Sequence, residues 1–194
     1  PRWSSVPIPT AILWGMIALY ILLFGIAASA RHYHFQTQSD DMGIFVQIFW
    51  NAVHGRGFVG TLEETPNHFG VHMSPFFYLL LPFYFLIRSP YTLLWLQTIA
   101  LAIGAWPLFL LAKKLLDGRW GLLIAAGYLL YPALHWINLF DFHEIAFFVP
   151  FFLAALYFLE TEQWKWGGLF LALAASTKED ATIIIFFVGL YLLC

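Results

Sequence analysis

Residues 39–57 read SDDMGIFVQIFWNAVHGRG, and this stretch decides how the rest of the chain is read. It is the first strongly polar break after a long apolar run. Wound as a helix, it gathers Phe45, Ile48, Phe49, Ala52 and Val53 on one face. Gln47, Asn51 and His54 fall on the other face, in line with Gly43 and Asp40. That is the helical period of an amphipathic segment. The segment is too polar to span a bilayer, and it suits a helix lying along the membrane surface with its apolar face down. Ser39, Asp40 and Asp41 stand at its start, where side chains of this kind cap a helix and complement its dipole. His54 stands at its end, where an imidazole is favoured by the opposite pole.

The composition sets the context. Of 194 residues, 61% are hydrophobic, 20% aromatic and only 10% charged. A soluble domain of this size has no interior large enough for so much apolar surface, so the expected class is an all-α, polytopic membrane bundle. The formal net charge of -2 is uninformative about nucleic acid, but no basic tract occurs, and no nucleic-acid partner is expected. A single cysteine, Cys194, rules out a disulfide within the chain. Ala28-Ser29-Ala30 resembles a signal-peptidase site, but the apolar run before it is long for a signal peptide, and it reads as an uncleaved first span. The start at Pro1 and the end at Cys194 inside an apolar run are those expected of a piece of a longer protein.

Six spans are expected along a single transmembrane module, at about 8–30, 91–112, 120–138, 145–160, 167–176 and 181–194. Residues 31–90 form an outer loop with the surface helix at 42–54. Within it, SPFFYLLLPFYFLI at 74–87 is apolar but well short of the roughly twenty residues a span needs, and it holds Pro82. It reads as an interfacial or re-entrant helix. That choice places Lys113, Lys114, Arg119 and Lys165 on the side of the N-terminus, which the positive-inside rule makes cytoplasmic. The N-terminus is therefore expected on the cytoplasmic side of the plasma membrane.

On this topology three polar clusters meet outside: Asp40/Asp41, Asp141/His143/Glu144 and Lys178/Glu179/Asp180. Each alone reads as hydrated residues at helix ends. Lys178 follows a very short apolar run, which places its cluster below the membrane surface in a polar cavity, where charge is costly without a partner. His68 and His72 with Asp141 and His143 offer a mixed nitrogen and oxygen donor set, but no metal-binding spacing accompanies them. His135 lies inside the third span, either as a pigment ligand or as a buried histidine bonded to a neighbour. No phosphate-binding loop, dinucleotide-binding glycine pattern, HExxH or GxSxG occurs.

The order of Asp41-Met42-Gly43-Ile44-Phe45 with Gln47 and Asn51, then His72 with Ser74-Pro75, then Asp141-Phe142-His143-Glu144 and Lys178-Glu179-Asp180, resembles the GT-C superfamily. These are polytopic glycosyltransferases that use polyprenyl-phosphate sugars. Closer still, it resembles an uncharacterised prokaryotic membrane family grouped with them. The resemblance implies a GT-C-like N-terminal module and an inverting transfer at the outer face. Asp41 would be the essential acid of the first outer loop, ahead of Asp40. Asp141, His143 and Glu144 would be further catalytic candidates. Gln47, Asn51, His72, Lys178, Glu179, Asp180, Arg56 and Arg88 would bind substrate, with Lys178 first and Arg56 or Arg88 in reserve for the leaving phosphate.

The expected partners are membrane lipids, a lipid-linked sugar donor and other membrane subunits. The cofactor is left open, a divalent metal ion being the one candidate. Two other functions remain open: a non-catalytic subunit whose aromatic spans pack against partner or pigment-bearing helices, and a transporter with ionisable residues along its path.

Overall fold

The computed structural model describes residues 8–193. Cys194 lies outside them. The described chain is all α. Its first half holds α1 (Ile8–Tyr33), α2 (Ser39–Val53), α3 (Phe77–Leu86), α4 (Pro90–Ile103) and α5 (Ala105–Leu115). Its second half holds α6 (Gly118–Leu129), α7 (Pro132–Phe140), α8 (Phe148–Glu160), α9 (Trp164–Ala175) and α10 (Ala181–Leu193). Two short 3-10 turns, His68–Gly70 and Glu144–Phe147, lie in the connections. Among the described residues β pairing is limited to an isolated bridge between Val59 and Asn67.

Helix α1 buries Leu13, Ile17, Tyr20, Gly25 and Ala28 along one stripe and leaves Leu19, Leu22, Leu23 and Ile26 exposed. The stripe packs on α4. There Gly25 is a flat seat for Trp95, since a Cβ at this position would lie 2.6 Å from the indole. The indole N–H donates to Ser29 Oγ at 3.1 Å. Helices α4 and α5 together run from Pro90 to Leu115, 26 residues, interrupted only at Gly104. Pro107 accounts for the interruption, because it has no N–H for the carbonyl four residues earlier and its ring crowds that carbonyl.

Two described helices are long and apolar enough to cross a membrane, Ile8–Tyr33 and Pro90–Leu115. A third crossing is available if α6 and α7, bent by 43°, act as one. The expected count of six is therefore too high. Helices α8 and α9 have 13 and 12 residues, about 18–20 Å at 1.5 Å per residue, short of the ~30 Å hydrocarbon core. The described part of α10 has 13 residues and falls short in the same way. Helix α3 has 10 residues, too few to cross, as expected from its sequence. The break between α6 and α7 falls at Pro132. His135 spans it: its Nε2 donates to the Leu129 carbonyl at 2.7 Å, and its ring packs on Phe24 and Tyr20. Of the two readings of His135, the neighbour-bonded histidine is the one the fold displays.

Helix α2 is amphipathic as expected, but its apolar face is covered by protein. Phe45 and Phe49 are buried against Phe77 and Phe142, with Phe58 and Tyr84 completing the aromatic cluster. The hydrophobic stripe read as a membrane contact is a core contact. Helices α8 and α9 form an antiparallel hairpin joined at Thr161–Gln163, and α10 returns beside α9.

Candidate functional site

A cavity of about 310 Å³ opens where the first loop meets the 141–144 and 177–180 turns. Asp41, His143, Glu144, Lys178 and His72 line it, as the convergence of the three clusters requires. Glu63, Glu64 and His68 complete the polar lining, with Ile44, Phe45, Leu62 and Val71 as the apolar part. Four carboxylates thus face one lysine.

Asp41 reaches the cavity and Asp40 is exposed outside the lining. The stripe that Asp40 shares with Gln47 and Asn51 faces another element, the loop after α2. Gln47 Oε1 accepts the Thr61 N–H at 2.8 Å, and its amide donates to Thr61 Oγ1 at 2.9 Å. Asn51 Nδ2 donates to the Val59 carbonyl at 2.7 Å. Both side chains anchor the loop that carries Glu63, and neither lines the cavity. Neither aspartate caps α2. The N-cap residue is Gln38, which makes no side-chain cap bond.

The Gln38 N–H instead donates to Asp141 Oδ2 at 2.9 Å, across 103 positions of sequence. Asp141 is buried behind the cavity and its Oδ1 has no partner among the described residues. Burial pushes its carboxyl above the ordinary range, and the charge of Asp41 adds to this. The Gln38 bond and the charges of His143 and Arg31 pull the other way without prevailing. The turn after Asp141 is set by Gln97 of α4, which is fully buried. Its amide donates to the Asp141 carbonyl at 2.7 Å and its Oε1 accepts the His143 N–H at 2.8 Å. Next to it Thr98 donates to Asn138 Oδ1 at 2.9 Å. A polar layer thus ties α4 to α7 beneath the cavity.

Glu144 is 1% exposed and its Oε1 lies 3.3 Å from Lys178 Nζ. Its Oε2 has no partner among the described residues. Glu179 is turned toward the first loop, accepting from His72 Nδ1 at 2.8 Å and the Met73 N–H at 2.9 Å. Burial raises its carboxyl, but these hydrogen bonds outweigh it and hold Glu179 below the ordinary glutamate value. The Phe76 N–H donates to the Ser176 carbonyl at 3.1 Å beside it. Asp180 is exposed at the start of α10 and does not line the cavity.

Arg56 and Arg88 lie at the other end of α2 from Asp41. Arg56 reaches Asn51 Oδ1 at 3.4 Å, and Arg88 stacks 5.0 Å from the Phe85 ring, with His54 Nε2 at 3.4 Å. Helix α2 touches the cavity as far as Phe45 and runs on to Val53, eight residues or about 12 Å further, and neither arginine is on the cavity lining. His54 donates from Nδ1 to the Trp50 carbonyl at 2.7 Å and so finishes the last turn of α2.

Among the described residues no group of three or more His, Cys, Asp or Glu side chains converges on a metal position. His68 and His72 spend their Nδ1 atoms on Glu63 and Glu179 rather than on a common centre. The donor set His68, His72, Asp141 and His143 is not gathered at one centre among the described residues, Asp141 lying outside the cavity lining. Glu63, Glu64 and Gln97 were not singled out from sequence. The signal available for Glu63 was its spacing of five from His68, inside a turn marked by Gly60, Pro66 and Asn67.

Long apolar helices and a charged cavity beside them define a helical membrane protein. The chain belongs to the DUF2079 family of predicted membrane proteins, whose model matches residues 31–194. No curated protein and no solved structure matches it.

Proposed function

We propose that this chain is a membrane glycosyltransferase-like protein that moves a sugar from a polyprenyl-phosphate donor. The proposed setting is the prokaryotic plasma membrane, with several crossings, a cytoplasmic N-terminus and the cavity at the outer face. The observation that supports this most is the excess of carboxylates around a half-open cavity, with Asp41 on its wall. Positive charge develops on the sugar ring as a glycosidic bond breaks. A ring of carboxylates with few cations stabilises that charge, and it also binds sugar hydroxyls. Asp41 orients the acceptor hydroxyl or takes its proton. Lys178 carries the ammonium on the lining, shared with Glu144, and faces the leaving phosphate.

The test is turnover of polyprenyl-phosphate sugar by the purified protein in lipid. Asp41→Asn keeps the shape and removes the charge, and should lower turnover roughly 10²–10⁴-fold, with Asp40→Asn near normal. Equal turnover by wild type and Asp41→Asn would reject the assignment. A second reading, a subunit packed against further helices, is favoured by one observation. Helix α10 is apolar all round and exposes Ile183, Ile184, Phe186 and Phe187. Its signature would be a stable complex with other membrane proteins and no sugar transfer.

A further inference from the structure

The cavity wall holds a pair that the chemistry of Asp41 does not use. His68 is 1% exposed, and its Nδ1 lies 2.8 and 3.0 Å from the two carboxylate oxygens of Glu63, itself nearly buried. The ring is held between Phe45 and Phe77 at centroid distances of 5.7 and 5.2 Å. Its backbone is fixed as well: the N–H donates to the Phe58 carbonyl at 2.9 Å, and its own carbonyl accepts from Val71 and His72.

An ionised carboxylate only accepts hydrogen bonds, so the proton between the two groups sits on Nδ1. In the neutral ring that leaves the lone pair on Nε2. Nε2 has no partner among the described residues, and His68 lines the cavity. A histidine kept only for packing is expected to satisfy both nitrogens, because an unpaired buried polar atom lowers stability. His72, six ångströms away ring to ring, differs: it is one-third exposed and its partner Glu179 also grips the backbone.

We propose that Glu63 and His68 form a proton-transfer dyad, in which Nε2 takes the proton of a hydroxyl group entering the cavity. The proposal rests on the glycosyl-transfer reading for what that hydroxyl then attacks. The O–H bond breaks and its proton passes to Nε2. The oxygen's electron pair forms a bond to the anomeric carbon, while the bond from that carbon to the phosphate oxygen breaks, its pair leaving with the phosphate. His68 is the catalytic residue. Glu63 is a positioning residue that fixes the tautomer and stabilises the imidazolium. Asp41 is left to orient the hydroxyl and to face the charge on the sugar.

The test has two arms. The first uses wild-type protein carrying ¹⁵N-histidine in lipid nanodiscs at about pH 8.5, two units above the ordinary imidazole value. His68 is assigned as the signal lost in His68→Gln. A protonated Nδ1 with a bare Nε2 is expected, and a protonated Nε2 overturns the dyad. The second arm is turnover. His68→Gln should lower kcat by roughly 10²–10⁴-fold with KM little changed, and added imidazole should restore part of the rate to His68→Gly. Glu63→Gln should lower kcat without raising KM. Wild-type kcat in His68→Gln overturns the dyad, and with Asp41→Asn inactive it leaves the transfer reading standing. If wild-type protein moves no sugar, that reading fails by itself and the dyad is decided by the tautomer.

Discussion

The α8–α9 hairpin carries an ion pair at each end, and the two pairs have little in common beyond their charges. At the closed end Lys114 of α5 meets Glu160, with Nζ and Oε1 3.5 Å apart and both side chains more than two-fifths exposed. Lys114 also bonds the Glu160 carbonyl. At the open end Lys178 meets Glu144 at 3.3 Å, with the carboxylate all but buried. Water solvates the first pair whether or not it forms, and such pairs contribute about 0–1 kcal/mol. The second carboxylate has lost its water and depends on Lys178. The hairpin is thus secured at one end by its own turn and at the other by a charge that the cavity also uses.

Removing Lys178 is the largest expected disturbance. Lys178→Met leaves Glu144 buried and uncompensated and should cost about 3–5 kcal/mol of stability. Adding Glu144→Leu should recover most of it. Equilibrium unfolding in detergent measures both. A Lys178→Met protein as stable as wild type would mean that Glu144 is solvated after all.

Acid should also separate the two ends. The folded protein holds the Glu179 carboxyl below its ordinary value of 4.5. Its contribution to stability is therefore present above that value and is lost as the pH falls through the lower folded one. Asp141 has the opposite sign: its folded value is raised, so its charge burdens the fold at neutral pH and protonation relieves it. Acidification should first free the first loop from the Lys178–Asp180 turn. The protection of the His72 and Met73 amides against hydrogen exchange, relative to the intrinsic rate at each pH, should fall with acid in wild type, and Glu179→Gln should remove that step. An identical acid response in both proteins would rule out Glu179 as the clamp. The smallest effect belongs to the closed end. Lys114→Ala should change stability by no more than about 1 kcal/mol, and a larger loss in the same unfolding assay would show that this pair is not the solvated one its exposure indicates.

The helical membrane class, the first long span, the amphipathic α2 and the short α3 were all legible, because each follows from the length and period of apolar runs. So was the meeting of the clusters at 41, 141–144 and 178. What the pattern did not contain was the identity of the surface covering each face. Phe45 and Phe49 look the same in sequence whether lipid or Phe77 and Phe142 cover them. Gln47 and Asn51 share a stripe with Asp40, yet that stripe serves Val59 and Thr61, and Asp41 takes the cavity. The number of spans was overread because an apolar run reports composition, while crossing requires length. Glu63 and His68 meet only through the turn closed by the Val59–Asn67 bridge, which no periodicity encodes.

The bond from Gln38 to Asp141 has a consequence for how the molecule is made. The residue that secures the start of α2 is synthesised 103 positions after it, and the Glu179 that holds His72 comes 107 positions later. At about 5–20 residues per second, the first loop waits roughly 5–20 s for these partners. During that interval Phe45 and Phe49 have no Phe142 to cover them. Phe58, Phe77 and Tyr84 are already made by then, so the early loop completes its packing late, and the side left open for Phe142 is where a chaperone or protease at the membrane would meet a nascent chain that stalls before residue 141.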